Sequence, residues 1–261
     1  NNYIHSERFM ENLAPLSPQN HSAFFLKEGV DFPAIKTKRN AAVMVSEFAV
    51  ASTSYPLFFI KNTSTDQFDA IALMALDSHN VFYQQENAMN VAYMPQSLSL
   101  LPFQVVADPN NPNRIVPLLD TNSSLVSMQE EEQSMKLFND DGSASQAVTA
   151  KQQAMRELYQ HEITTIEFIN QLTRLGLLKE LDLEITFAAG EKTTIKGLFT
   201  VKEEGLSELS AQDKALFEER GYYPAIYAML ASLTQMNRMM QLHNHQQPAN
   251  LIENMQFQLA Q

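Results

Sequence analysis

The stretch Leu181-Asp182-Leu183-Glu184-Ile185-Thr186-Phe187 constrains the fold of this chain more than any other. Apolar and polar side chains alternate with a period of two. A strand satisfies that period, because successive side chains point to opposite faces. "AAGEK" then turns the chain and "TTIKGLFTV", Thr193 to Val201, returns it. An antiparallel hairpin is predicted here.

A second constraint is "SYPLFFIKNT", Ser54 to Thr63. Proline has no N–H to give a sheet ladder, so Pro56 cannot sit inside a central strand. It can begin one, and it pushes Tyr55 toward an extended conformation. Pro56 is therefore expected to start the strand Leu57–Ile60. "KNTSTDQ" is a polar turn leading to the apolar run Phe68 to Leu76.

Other strand-length runs follow the same logic. "SAFFLKEG" reads as a strand ending at Gly29, and Val43 and Val45 mark a further apolar run. "PFQVVAD" pairs with "RIVPLLD" across the turn "DPNNPN", and Pro117 argues for an edge position. From Thr121 to Ala150 the chain is polar and reads as a loop with short helical pieces. Glu130, Glu131 and Glu132 form a solvated face, and Gly142 of "NDDGS" supports a tight turn with positive φ.

After Ser145 the period lengthens. Ala147, Ala150, Ala154, Leu158, Ile166, Ile169 and Leu172 suit one face of a long helix, interrupted near His161 and ended by Gly176. Ser207 or Ser210 caps a helix running to Arg220, with Gly221 beyond it. A last helix begins near Tyr222 with Pro224 in its first turn. Ile226, Met229, Leu230, Leu233, Met236 and Met240 line one of its faces. The tail after Pro248 is expected to be weakly ordered. These readings give an α+β fold, with an N-terminal antiparallel sheet lobe packed with C-terminal helices and a β-hairpin. The chain is read as one domain over residues 1–261, or as two intimately packed lobes of about 1–145 and 146–245.

Composition narrows the functions. Asp and Glu outnumber Lys and Arg 30 to 18, giving a net charge of −12, with no long basic run. Such a surface repels phosphate backbones and anionic lipid on average, so nucleic acid is not expected as a partner. There is no cysteine, which removes disulfides, thiolate nucleophiles and Cys-ligated metals. No apolar run approaches the roughly 20 residues that span a bilayer, so no membrane insertion is expected. A cytoplasmic location fits, although the chain begins at Asn1 and a removed leader stays open.

Candidate chemistry is sparse. His243 and His245 lie two apart, which on a helix points them to different faces; both read as solvated. His161–Glu162 lacks the second histidine of a zinc-protease helix, because Thr165 stands there. No metal and no cofactor are expected. Asn62 and Asn122 head glycosylation sequons, a pattern short enough to arise by chance. Met229, Met236, Met239 and Met240 read as core, or as the lining of an adaptable groove. Glu47 lies in an apolar run, and burial disfavours the charged form of a carboxylate, which suits acid–base work. Its alternatives are an exposed strand residue or a satisfied ion pair. Glu47, Tyr55, Tyr93 and Tyr227 are the candidate ligand-binding residues.

Several segments together resemble the SapC family of bacterial proteins. They are "SEFAVASTSYPLFFIKN", "VAYMPQSLSLLPFQVV", "LFNDDGSAS", "LGLLKELDLEIT", "IKGLFTVKEEGLSELS" and "YYPAIYAMLASLTQMNRM", in that order from about residue 10 to 243. The resemblance implies a link to surface-layer proteins and an accessory role beside outer-membrane uptake receptors and tryptophan-halogenase-like flavoproteins. It brings no catalytic residues. A permease label sometimes given to the family conflicts with the lack of apolar spans. The leading expectation is a soluble, non-catalytic accessory or binding protein, taking a protein partner or a small ligand. The alternatives are an enzyme with a polar pocket near Glu47 and Tyr55, and a structural surface-layer component.

Overall fold

A computed structural model describes residues 2–3, 13–62 and 65–260. Thr63 and Ser64 of the first sequon lie outside the described residues. Strands β1 (Asn2–Tyr3) and β2 (Leu13–Pro15) come first, then helix α1 (Pro18–His21), β3 (Phe25–Lys27), α2 (Phe32–Lys36) and β4 (Asn40–Ala42). A 3-10 turn, Val45–Glu47, leads into α3 (Phe48–Ala51), β5 (Leu57–Lys61) and β6 (Phe68–Leu73). Next come β7 (Tyr83–Gln84), β8 (Ala88–Met89), α4 (Gln96–Ser99), β9 (Phe103–Asp108), β10 (Asn111–Asp120), β11 (Val126–Ser127) and β12 (Ser134–Lys136). The long helix α5 (Gln146–Arg174) is followed by β13 (Leu178–Phe187) and β14 (Lys192–Val201). The last elements are α6 (Glu203–Leu206), α7 (Ala211–Glu219), α8 (Tyr222–Ser232), α9 (Gln235–Gln246) and β15 (Ile252–Leu259). With 35% helix and 31% strand, and antiparallel pairing nearly throughout, the chain is α+β.

Two compact units interleave along the chain. One holds Thr37–Pro95 and Ile163–Gln261 with β1; the other holds Arg8–Lys36 and Gln96–Glu162.

The first unit is built on one sheet in the order β15-β13-β14-β5-β6-β4, with β1 paired to β14. The alternating hairpin forms as expected: Leu183 and Ile185 are buried, and Ile185 pairs with Thr193. Pro56 does begin β5, and its carbonyl accepts from the N–H of Leu73 on β6. Asn62 closes the turn between β5 and β6 through its N–H to Gln67 (2.7 Å). The tail is a correction. Ile252–Leu259 is not weakly ordered but pairs antiparallel with β13. Strand pairing supplies the backbone bonds that its modest apolar content does not advertise.

Helices α3, α6, α7, α8 and α9 complete the first unit, and α5 belongs to the second unit up to Glu162 and to the first from Ile163. Helix α5 continues through His161 without interruption and ends at Gly176 (φ 65°), where Leu177 N–H returns to Leu172. Its buried face is Val148, Met155, Leu158, Thr165, Phe168, Ile169 and Leu172; Ala150 is exposed. Ser210 caps α7 by accepting from the N–H of Asp213. The expected single last helix is two, α8 and α9, broken at Leu233–Thr234. Met229, Met236 and Met239 are core residues. Phe48, Phe59 and Tyr222 surround Phe168, their ring centroids 5.0 to 6.3 Å from its own.

In the second unit β10 lies between β2 and β9, so Pro117 is not on an edge strand. The Pro117 carbonyl accepts from Leu16 N–H, on the β2 side, so its nitrogen also faces β2. The β2 ladder stops at Pro15, opposite Leu118, so the donor that Pro117 lacks falls just past the end of the ladder. Strand β3 pairs with β11 and β12, so Thr121–Ala150 carries two short strands where helical pieces were expected. Gly142 has φ 80°, as its turn requires. Asp31, buried just before α2, accepts from the hydroxyls of Ser123 and Ser124 and from Ala34 N–H.

Candidate functional site

Glu47 sits at the end of the 3-10 turn and is 2% exposed. Its Oε2 accepts from Met44 N–H (2.8 Å), three residues back, the bond that closes the reach-back half of a capping box. Its Oε1 accepts from the Tyr93 hydroxyl (2.6 Å). That length belongs to O–H···O⁻ bonds, about twice as strong as neutral ones. The turn is held from its other side by α5, where Thr165 Oγ1 accepts from Val45 N–H (2.9 Å). Glu47 thus lies not on an exposed strand but in a buried, hydrogen-bonded turn.

Tyr55 is fully buried, edge-on to Phe82 at 4.9 Å. Its hydroxyl donates to the Tyr93 carbonyl (3.0 Å). Glu47, Tyr55 and Tyr93 therefore form one chain of contacts, although 38 residues separate the two tyrosines. Burial pushes the Tyr55 phenol well above its ordinary value near 10, partly offset by the Arg238 charge. Tyr93 is raised as well, by burial first and then by the Glu47 bond and charge. Both phenols are donors at neutral pH, not bases.

Residues 77–95 contain only the two-residue strands β7 and β8. Side chains from elsewhere hold this strap. Arg238 of α9 donates to the Asn90 carbonyl (2.5 Å) and Asn90 Oδ1 (3.0 Å), and also to the Ser54 carbonyl (3.1 Å). Its guanidinium lies 5.4 Å from the centre of the Phe82 ring, a cation–π distance. Gln246 donates to the carbonyls of Val81 and Tyr83, and Ser54 Oγ accepts from Ala92 N–H. None of these partners was legible in the sequence. Arg238 and Gln246 carry no local pattern, and only the fold brings them to the strap.

A family model described as SapC matches residues 16–239. The chain belongs to the SapC family. No curated protein and no solved structure matches it. The match takes in Glu47, Tyr55, Tyr93, Tyr227 and Arg238, and it spans residues of both units. No helix among the described residues of this SapC protein is long and apolar enough to cross a membrane.

The fourth candidate stands apart. Tyr227 is 50% exposed on α8 and takes no part in the Glu47–Tyr93–Tyr55 chain. His243 is not a solvated histidine. It is buried against Phe187, and its Nε2 lies 2.9 Å from the Asn250 carbonyl, which can only accept, so the ring donates there. His161 Nδ1 lies 3.2 Å from Gln96 Oε1. Among the described residues no three His, Asp or Glu side chains converge as metal donors.

Proposed function

We propose that this SapC protein is a non-catalytic binding or accessory protein that works as a single module. One observation carries the reading: the polar groups best suited to chemistry are engaged in fastening the strap. Glu47 and Tyr55 both bind Tyr93, at its hydroxyl and its carbonyl. A carboxylate and a phenol so engaged position backbone and do not turn over substrate. What they hold in place is Tyr93, half-buried, bonded at its ring hydroxyl and at its backbone carbonyl. Such a fixed aromatic offers a large amphipathic surface at low entropy cost, which suits recognition of a protein segment or a small ligand. Tyr93 is the ligand-binding residue of this reading, with Glu47 and Tyr55 positioning it. Tyr227 presents a second exposed aromatic on α8.

In this reading the chain serves outer-membrane uptake or halogenase-type systems as an accessory, and it meets its protein partner or small ligand on the cytoplasmic side. Gentle purification from the producing cells, followed by native mass spectrometry, tests this. The expected result is a stoichiometric protein or small molecule that Tyr93→Ala releases. A bare chain in every preparation overturns the reading.

A further inference from the structure

The two edges of the large sheet are treated differently. At one edge β4 is three residues long, too short to template another strand. At the other, β15 runs for eight residues, about 27 Å of extended backbone. It contains no proline, no lysine or arginine and one acidic residue, Glu253. Among the described residues its only strand neighbour is β13. A register shift beside Glu253 interrupts its pairing at one end, but from Asn254 to Leu259 the ladder is regular and carries no proline, charge or bulge to blunt the edge.

The orientation of its backbone follows from the register. Ala260 N–H donates to Glu180 O on β13, and Gln258, Gln256 and Asn254 face Asp182, Glu184 and Thr186. With a period of two, those three residues bond to β13, and Met255, Phe257 and Leu259 turn their N–H and C=O groups outward. The side chains of the same three residues continue the apolar face of Ile185, Leu183 and Leu181, their register partners. Burial fades along this row. Met255 and Phe257 are half-buried and Leu259 is 68% exposed.

We infer that β15 is a docking edge for a second copy of this chain, paired antiparallel with its own β15 about a two-fold axis at Phe257. In that register Phe257 faces Phe257 of the second copy and Met255 faces Leu259. The outward backbone groups complete a ladder, and the exposed apolar row covers itself. The arrangement is self-complementary, as an isologous interface must be. Charge selects the same place. Two bodies of net charge −12 repel, and this edge offers eight residues with a single carboxylate. The axis at Phe257 also keeps Glu253 of one copy away from Glu253 of the other.

Sedimentation of the full chain over a wide concentration range tests this, paired with hydrogen exchange. A species of twice the 29.5 kDa chain mass is expected. The amides of Met255, Phe257 and Leu259 should exchange slowly in that species and quickly on dilution, whereas Gln256 and Gln258 stay slow in both. Met255→Pro removes an outward donor together with a half-buried side chain, and Leu259→Lys places a charge on an already exposed position. Both should yield folded monomers. A wild-type monomer at every concentration, including one that instead takes up an extended peptide, overturns the inference. So does a dimer that survives both substitutions or leaves the outward amides fast.

Discussion

The hairpin β13–β14 and the strap at residues 77–95 belong to the same unit yet hold their shape by opposite means. The hairpin is ordered by its own backbone. Its register runs from Leu178↔Val201 to Thr186↔Lys192, and alternation along β13 sets which face is buried, with one shift between Leu181 and Leu183 where β14 carries an extra residue. The strap has almost no ladder, and side chains of Arg238, Gln246, Ser54 and Tyr55 satisfy its backbone from outside. A segment without regular structure is therefore not unspecified. Its specification lies in residues 38 to 165 positions away, each spent on a carbonyl or an N–H that water would otherwise serve.

The sharpest way to break this contrast is to remove the strap's main fastener. Arg238→Ala deletes donors to Asn90 and Ser54 and the cation over Phe82, leaving partly buried acceptors unpaired. Charge-assisted bonds of this kind are worth about 1.5–3 kcal/mol each in context, and a loss of about 3 kcal/mol is expected in denaturant unfolding. Hydrogen exchange should place the loss in residues 77–95, with the hairpin amides unchanged at moderate denaturant. Uniform loss of protection across both regions would show that the strap and hairpin open as one.

How each region could be read follows from the same physics. Alternation in Leu181–Phe187 is a local signal, and the hairpin was legible to within three residues. Ser210 as a cap and Gly176 as a terminator are equally local. Around Glu47 the run "AAVMVSEFAV" is short and apolar, and such runs do not distinguish strand from helix. What decides for a 3-10 turn is Thr165, 120 residues away, together with the reach of Glu47 back to Met44. His243 looked solvated because neither Phe187 nor the Asn250 carbonyl is visible beside it in a pattern. Strand β15 did alternate, but with Asn254 before Met255 and Gln256 and Gln258 between Met255, Phe257 and Leu259 its apolar content was too low to announce a strand. The sheet edge of β13 supplied the rest. Glu47 and Tyr55 were found as candidates, but their joint attachment to Tyr93 was not.

Alkaline titration sharpens the comparison by a smaller amount. The tyrosines of the strap and its anchor have folded-state pKa values raised above the unfolded value near 10, Tyr55 chiefly by burial and Tyr93 by burial and then Glu47. A raised folded pKa gives stability that is full below pH 10 and lost as pH climbs toward the folded value, because only the unfolded chain releases the proton. The slope for one such buried group reaches about 1.4 kcal/mol per pH unit. Half-buried Tyr93 contributes less. Tyr55→Phe should flatten the alkaline limb of the stability curve above pH 10 and leave its neutral region with a modest loss for the missing bond to the Tyr93 carbonyl. An unchanged slope would place the phenol in contact with water.

The smallest effect belongs to the hairpin's surface. Lys192 reaches Glu184 on the neighbouring strand at 3.0 Å, an ion pair with its lysine mostly in solvent. It resembles the strap's contacts on paper, a cation meeting an oxygen across the fold. The difference is water. Solvent replaces either partner when the other is removed, and the ordering of two long side chains offsets most of the attraction. Lys192→Ala should change stability by about 0–0.5 kcal/mol, within the scatter of surface substitutions, and raising the salt concentration should abolish even that. Arg238→Ala should keep most of its cost in high salt, since its acceptors are partly buried carbonyls and an amide and not a screened carboxylate. If the two substitutions respond alike to salt, the strap is fastened by surface electrostatics, and the contrast between the regions reduces to one of regular structure alone.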